Sequence, residues 1–146
     1  MKLFKREPTK LILFVCVENA GRSQMAEGYF NKYAPKGYEA ISAGTRPVSQ
    51  INPIAVQVMR ESGIDISNQK SKELTEDMMR NSSNIVNMGC VEKESCPTLF
   101  LQNLVDWNIE DPKDKPIEKV RKIRDEIDQR VKELVASIKA SKEINA

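Results

Sequence analysis

The sequence predicts an α/β protein: a single three-layer domain in which a four-stranded parallel sheet is flanked by helices. Lys10–Val17 is a continuous apolar run of strand length, which is typical of a buried parallel strand. Shorter candidate strands alternate with helical patterns along the chain, as they do in βαβ units. The 146 residues are enough for one core without disulfides or metals. We therefore expect one domain over 1–146, with loose ends at about 1–9 and 141–146.

Three further runs are predicted strands. Tyr38–Ser42 is followed by Gly44, and Asn84–Met88 is followed by Gly89, so each run ends near a residue that favours a turn. Asn103–Trp107 is a weaker candidate for the fourth strand. Because ligands bind at the carboxyl ends of parallel strands, the residues that follow these runs are the candidates for a site.

The helices are predicted from apolar spacing and from residues that start or stop a helix. The first begins at about Ser23, and the second begins where Asn52 precedes Pro53. Leu74–Arg80 is a short candidate, and a long amphipathic helix follows Pro116. The residues that share an apolar face are Ile54, Val58 and Met59 in the second helix and Ile117, Val120, Ile123, Ile127, Val131, Leu134 and Ile138 in the last.

The composition excludes several classes of function. The net charge is +2, with both signs spread along the chain, so nothing indicates a nucleic acid or a membrane as partner. Glu18 ends the first apolar run, which argues against a secretory signal. Three cysteines are an odd number, which indicates reduced thiols in the cytoplasm rather than a disulfide framework. Because histidine is absent, a carboxylate, Tyr, Lys or Cys must move any proton, and we expect neither a metal site nor a resident cofactor.

The stretch FVCVENAGRSQMAE places a cysteine at the end of the first strand. Between Cys16 and Arg22 lie five small or polar residues, and a helix follows. A loop this tight can turn its N–H groups inward and bind an anion, while the guanidinium grips two of its oxygens. The same positive field stabilises a thiolate, and Ser23 can donate a hydrogen bond to it. Asn19 suits a position with positive φ.

These residues carry a resemblance to a known family. Cys16, five residues, Arg22 and Ser23 directly after a buried strand resemble the phosphate-binding loop of low-molecular-weight protein tyrosine phosphatases. With Asn19 and QMAEG, the stretch is more similar to the thioredoxin-coupled arsenate reductases built on that fold. The similarity continues through ISAGT, GIDISNQKS, NMGC and Asp111-Pro112, over nearly all the chain after residue 9. It implies that an oxyanion is bound by Val17, Glu18, Asn19, Ala20, Gly21 and Arg22.

The resemblance to arsenate reductases also implies a role for each cysteine. Cys16 attacks arsenic, Cys90 attacks the sulfur of the Cys16 adduct so that arsenite leaves, and Cys96 resolves the disulfide. The bond between Cys90 and Cys96 is then reduced by a thioredoxin-like partner. The residues themselves support these roles in two ways: Cys90 follows a predicted strand, and Cys90 and Cys96 are close in the sequence.

The leaving oxygen needs a proton, and Asp111 matches the family's general acid just before a proline. Asp106 and Glu110 are weaker candidates for the same task. Some family members carry a further cysteine where this chain has Gly21. Some also bind potassium behind the loop, at a place where this chain has Lys72; we expect the Lys72 ammonium to replace that ion by pairing with Glu27.

Three other functions fit parts of the pattern. The first is a phosphatase that hydrolyses phosphomonoesters through a cysteinyl-phosphate, with the extra cysteines as redox protection. The DPKDK stretch lacks the aromatic residues that line many tyrosine phosphatase clefts. The second is a phosphocarrier domain, which would need neither Arg22 nor the pair Cys90 and Cys96. The third is a redox sensor, which would not need the anion-binding loop.

Overall fold

The computed structural model describes residues 9–89, 91–93, 96–99 and 104–144. Cys90, the predicted second nucleophile, lies outside the described residues. Within them, strands and helices follow one another in the order that the sequence predicts. The elements are β1 (Lys10–Cys16), α1 (Arg22–Tyr33), β2 (Tyr38–Gly44), α2 (Pro53–Glu61), α3 (Glu76–Asn81), β3 (Ser82–Asn87), β4 (Leu104–Asp106) and α4 (Ile117–Ile144).

The four strands form one parallel sheet in the order β2-β1-β3-β4. This confirms the predicted α/β fold with its four-stranded parallel sheet. Cys16 pairs with Gly44 of β2, and Val15 pairs with Asn87 of β3. The carboxyl ends of these three strands therefore meet at one edge of the sheet, and the loop that follows Cys16 lies there.

The central strand β1 is buried on both faces. Ile12, Phe14 and Cys16 belong to the core on the face that α1, α2 and α4 cover. Leu13 and Val15 point the other way, into the smaller core that also contains Met79 of α3. This alternation follows from the two-residue period of a strand, and it explains why the run has no polar position after Lys10.

The long helix α4 buries most of the predicted face, since Val120, Ile123, Ile127, Val131 and Ile138 are all buried. Ile117 and Leu134 are only partly buried, and Val135 is buried instead. The helix includes residues 141–144 of the stretch predicted as a loose end. No helix in the described part of the chain is long and apolar enough to cross a membrane.

The apolar face predicted for α2 is not buried along its whole length. Val58 and Met59 are buried, but Ile54 is 36% exposed, and Ala55 is buried in its place. The reason is the position of Ile54 in the first turn. The side chain of Asn52 accepts a hydrogen bond from the amide of Ile54, at 2.9 Å, and this first turn lies in the wall of the cavity described next.

Candidate active site

Residues 16–22, which we call the Cys16 loop, are held by hydrogen bonds to their carbonyl groups. The carbonyls of Cys16, Val17, Glu18 and Ala20 each accept from a backbone amide at distances between 2.8 and 3.2 Å. The donors all belong to the segment after β2 and are Thr45, Arg46, Val48 and Asn52. These four carbonyl oxygens therefore point towards the segment after β2, which supplies their hydrogen-bond donors.

The orientation of these carbonyls decides where the amides point. In a planar trans peptide, the N–H group points opposite to the preceding carbonyl, and the described residues contain no cis peptide bond. The amides of residues 17–19 and 21 consequently point away from the segment after β2. One of them, that of Asn19, lies 3.2 Å from the sulfur of Cys16. Such a concave row of N–H groups can hold an anion.

The sulfur of Cys16 is buried and lies within 2.8 Å of the hydroxyl oxygen of Ser23. This hydroxyl also accepts from the amide nitrogen of the Asn19 side chain, at 2.8 Å. When the sulfur is ionised it can only accept, so the proton of Ser23 points at it. The predicted contact between Ser23 and Cys16 is confirmed, and it stabilises a thiolate.

Asn19 fixes the floor of the loop. Its φ is 52°, as predicted, and it is fully buried. Its side-chain oxygen accepts from the amide of Lys72 at 2.8 Å and from the side chain of Gln24 at 3.0 Å. Since the oxygen faces these donors, the nitrogen must face Ser23. The buried Gln24 was not singled out from the sequence, although it follows Ser23 directly.

Arg22 is 9% exposed and begins α1. One of its guanidinium nitrogens donates to the carbonyl of Ile109 at 2.8 Å, and another lies 3.6 Å from the carboxylate of Asp111. The guanidinium is thus anchored beside the loop, with Asp111 next to it. The geometry brings together Cys16, Arg22 and Asp111, which are the three residues that the sequence predicts for nucleophile, clamp and acid.

Asp111 belongs to residues 110–115, which we call the Asp111 loop. The Asp111 side chain is 57% exposed, and its carboxylate accepts from the amide of Lys113 at 3.0 Å. Pro112 would lie 3.1 Å from a Cβ at Gly21, so a larger residue at position 21 would press on this loop. The weaker candidate Glu110 pairs instead with Lys119, at 3.1 Å.

A cavity of about 560 Å³ lies between the two loops. Cys16 and Arg22 lie at its base, and Asp111 and Pro112 line one side. Val48 and Ile54 line it as well. Both are partly exposed apolar side chains. The cavity is much larger than one tetrahedral anion, so its outer part can influence which substrates enter.

Cys96 is half-buried, and it packs against the smaller core that contains Leu13 and Val15. The side chain of Cys16 belongs to the core on the opposite face of the sheet. Gly89, which precedes Cys90, follows β3 and has a φ of 103°. The sequence prediction that Cys90 lies near Cys16 concerns a residue outside the described part of the chain.

Behind the loop, the ammonium of Lys72 lies 3.6 Å from the carboxylate of Glu27, which is 9% exposed. Glu27 also accepts from the hydroxyl of Ser42 at 2.8 Å, and Lys72 donates to the carbonyl of Lys70. The expected pairing of Lys72 with Glu27 is confirmed as a contact. Within the described residues, no three His, Cys, Asp or Glu side chains form a group able to hold a metal.

Gly44 is a second residue that the sequence analysis did not assign to the site. A Cβ at Gly44 would lie 2.4 Å from the carbonyl oxygen of Val17 and 2.9 Å from the nitrogen of Asn19. Only glycine allows β2 to approach the loop this closely. The signal in the sequence was ISAGT, where the glycine follows a strand that ends beside Cys16.

Comparison with known proteins agrees with this geometry. A family model described as low molecular weight phosphotyrosine protein phosphatase matches residues 11–144, and the chain belongs to this family. The chain is 38% identical over 127 residues to an arsenate reductase of Brevibacillus brevis, a match that covers 86% of this chain and 94% of the relative.

Two solved structures extend the comparison. A thioredoxin-dependent arsenate reductase of Corynebacterium glutamicum is 39% identical with a TM-score of 0.77, over 92% of this chain and 64% of that chain. An arsenate reductase in the phosphate-binding state is 32% identical with a TM-score of 0.78, over 88% of this chain and 98% of that chain.

Proposed function

We propose that this chain is an arsenate reductase that turns arsenate into arsenite with three cysteines and a thioredoxin-like reductant, in the cytoplasm. The similar proteins in Brevibacillus brevis and Corynebacterium glutamicum carry the name arsenate reductase, which supports the substrate. The observation that carries the proposal is the sulfur of Cys16, which lies 2.8 Å from the hydroxyl oxygen of Ser23 and accepts from the amide of Asn19 at 3.2 Å, at the base of a cavity.

In the first step, the amides of the Cys16 loop and the guanidinium of Arg22 bind arsenate. The thiolate of Cys16 attacks arsenic, a sulfur–arsenic bond forms, and one oxygen leaves. The leaving oxygen belongs to a hydroxyl group of hydrogen arsenate, and Asp111, beside Arg22 at 3.6 Å, gives it the second proton so that it leaves as water. Arsenic stays in its pentavalent state in this step. Binding and positioning by fixed donors supply most of the acceleration expected for such a step.

In the second step, the thiolate of Cys90 attacks the sulfur of Cys16. A disulfide forms, and the electron pair of the broken sulfur–arsenic bond passes to arsenic, which leaves as arsenite. The thiolate of Cys96 then attacks the sulfur of Cys90, which frees Cys16 as a thiolate. A thioredoxin-like dithiol finally reduces the Cys90–Cys96 disulfide and is itself oxidised.

The described residues give this relay a physical reason. Cys16 and Cys96 pack on opposite faces of the sheet, so a direct disulfide between them would have to pass the strand ends. In the sequence, Cys90 comes after β3, which is the neighbour of β1 in the sheet. This position in the sequence supports Cys90 as the intermediate carrier.

The test is arsenate turnover with thioredoxin, thioredoxin reductase and NADPH. We expect Cys16→Ser, Cys90→Ser and Cys96→Ser all to lose multiple turnover. With stoichiometric enzyme and no thioredoxin, Cys96→Ser should still release one arsenite and accumulate a Cys16–Cys90 disulfide, which peptide mass spectrometry detects. Cys90→Ser should release none. Normal turnover by Cys90→Ser and Cys96→Ser would contradict the proposal.

A second candidate is a phosphatase that forms a cysteinyl-phosphate at Cys16. It is favoured by the family model itself, which is described as a phosphotyrosine protein phosphatase, and by a cavity large enough for an ester. This reaction needs Cys16, Arg22 and Asp111 but neither of the other cysteines. Hydrolysis of p-nitrophenyl phosphate faster than arsenate reduction, and unchanged in Cys90→Ser, would favour it.

A further inference from the structure

An ion pair joins the two loops across the cavity. Glu18 belongs to the Cys16 loop and Lys113 to the Asp111 loop, 95 residues apart in the chain. The ammonium of Lys113 donates to the carboxylate of Glu18 at 3.0 Å. Both residues line the cavity, and their side chains are 38% and 58% exposed. They therefore lie at its mouth, where it meets solvent.

From this contact we propose that the Glu18–Lys113 ion pair is a gate that favours free oxyanions over esters with a bulky organic group. A free tetrahedral anion fits at the base of the cavity below the pair. An ester bound by the same donors must pass its organic group through the mouth, where the pair would have to open. The gate adds a substrate preference to the proposed function. It rests on the proposed function in one respect, because it requires that the cavity bind a tetrahedral oxyanion.

The charges explain why the two residues occur together. A lone carboxylate at Glu18 would repel an anion that approaches the loop, and Lys113 neutralises it. A lysine is an ammonium at neutral pH, and the hydrogen bond to Glu18 is the largest reason why the pKa of Lys113 is raised further. The attraction is not strong, because both side chains are exposed and surface pairs contribute little.

The Glu18–Lys113 pair also affects Asp111, the proposed proton donor. The backbone amide of Lys113 donates to the carboxylate of Asp111 at 3.0 Å, so a displacement of Lys113 changes the support of Asp111. An ester that opens the gate would thereby disturb the proton donor for its own leaving group. A free oxyanion leaves both contacts in place.

The experiment measures the dissociation constants of inorganic phosphate and phenylphosphonate by calorimetry, for the wild type and the double variant Glu18→Ala/Lys113→Ala. The double substitution removes both side chains and leaves the net charge unchanged. We expect the preference for phosphate over phenylphosphonate to fall about two- to five-fold, which corresponds to the roughly 0.5–1 kcal/mol of an exposed pair. High salt should reduce the preference of the wild type but not that of the variant.

The matched control is Glu110→Ala/Lys119→Ala. This pair has a similar length of 3.1 Å and similar exposure, but neither residue lines the cavity, so the preference should not change. Reforming the pair with reversed polarity, in Glu18→Lys/Lys113→Glu, should restore much of the preference.

An unchanged ratio in the double alanine variant, with the wild type still binding phosphate, would overturn the gate and leave the reductase proposal intact. A wild type that binds neither ligand would overturn both. If instead the double variant melts at a lower temperature than its control and both affinities fall together, the pair is structural and the gate is wrong.

Discussion

The Cys16 loop and the Asp111 loop face each other across one cavity, but they are held in different ways. In the Cys16 loop, backbone amides of the segment after β2 occupy four carbonyls, and Asn19 is fully buried beneath them. In the Asp111 loop every residue except the buried Pro112 is exposed, and the contacts of this loop across the cavity are ion pairs to Arg22 and Glu18 and the packing of Pro112 on Gly21.

This difference separates the tasks of the two loops. Donors for an anion must be in place before it arrives, because their reorganisation would cost binding energy. The buried loop meets this need. A proton donor can be held more loosely, since one hydrogen bond to the leaving oxygen orients it. We therefore expect changes in the Asp111 loop to lower activity without loss of stability, and changes around the Cys16 loop to lower both.

The largest effect is expected from Asp111→Asn. The amide keeps the shape of the side chain but donates no acidic proton, so the rate of arsenate reduction should fall about 10²- to 10⁴-fold. The melting temperature should change little, because this side chain is 57% exposed. Arsenite release and thermal unfolding measure the two quantities.

Asp106→Asn is the matched control, since Asp106 also accepts from the amide two residues later, at 2.9 Å, and does not line the cavity. It should keep its activity within a few-fold. If Asp106→Asn is the inactive variant and Asp111→Asn is not, the acid has been assigned to the wrong carboxylate.

A smaller effect that involves both stability and binding is expected from Gly44→Ala. The added methyl group would overlap the carbonyl of Val17, and overpacking of this kind costs about 1–3 kcal/mol. The strand must move away from the Cys16 loop, so its amides lose their orientation and phosphate affinity falls about ten-fold or more, a loss that roughly 1.4 kcal/mol produces. Denaturant unfolding and phosphate calorimetry measure the two changes.

Gly63→Ala tests whether loss of stability alone explains the result. Gly63 has a φ of 79°, and nothing lies within 4 Å of an added Cβ. Alanine there is strained by about 1–2 kcal/mol but far from the loop. A phosphate affinity that falls equally in both variants would mean that the close approach of β2 is not what holds the loop.

The contrast between the Cys16 loop and the Asp111 loop also explains which features could be predicted from the sequence. The site residues of the Cys16 loop are local, so the spacing of Cys16 and Arg22 and the positive φ of Asn19 follow from one short stretch. The helix begins at Arg22, one residue before the predicted start. The strands β1, β2 and β3 were predicted to within two residues at each end, β1 from its apolar run and β2 and β3 from shorter runs that end near a glycine.

Contacts between segments that are distant in the chain could not be predicted from the sequence. The pairing of Glu18 with Lys113 depends on how two loops meet after folding, and both residues are ordinary surface types. The exposure of Ile54 was missed for a related reason, since helical period does not reveal that a first turn lies beside a cavity. The role of Gly44 needs the distance to Val17, which a single sequence does not contain.

The smallest effect is expected beneath the Cys16 loop, from Lys72→Met. Methionine keeps most of the length of the side chain but leaves the buried carboxylate of Glu27 with Ser42 alone. We expect a loss of about 1–2 kcal/mol in the free energy of unfolding, at the low end because the Lys72 side chain is 32% exposed. The loop contact should survive, since the backbone amide of Lys72 donates to Asn19.

Added potassium provides a second test of the prediction for Lys72→Met. If the ammonium of Lys72 stands in for a cation, added potassium should restore part of the stability of Lys72→Met and should do nothing for Lys72→Met/Glu27→Gln, in which the carboxylate is gone. The exposed Lys70→Met is the control and should match the wild type. Strong stimulation of wild-type activity by potassium would contradict this account, because it would mean that the ion binds while Lys72 is present. The Cys16 loop would then depend on an added ion rather than on the chain's own charge.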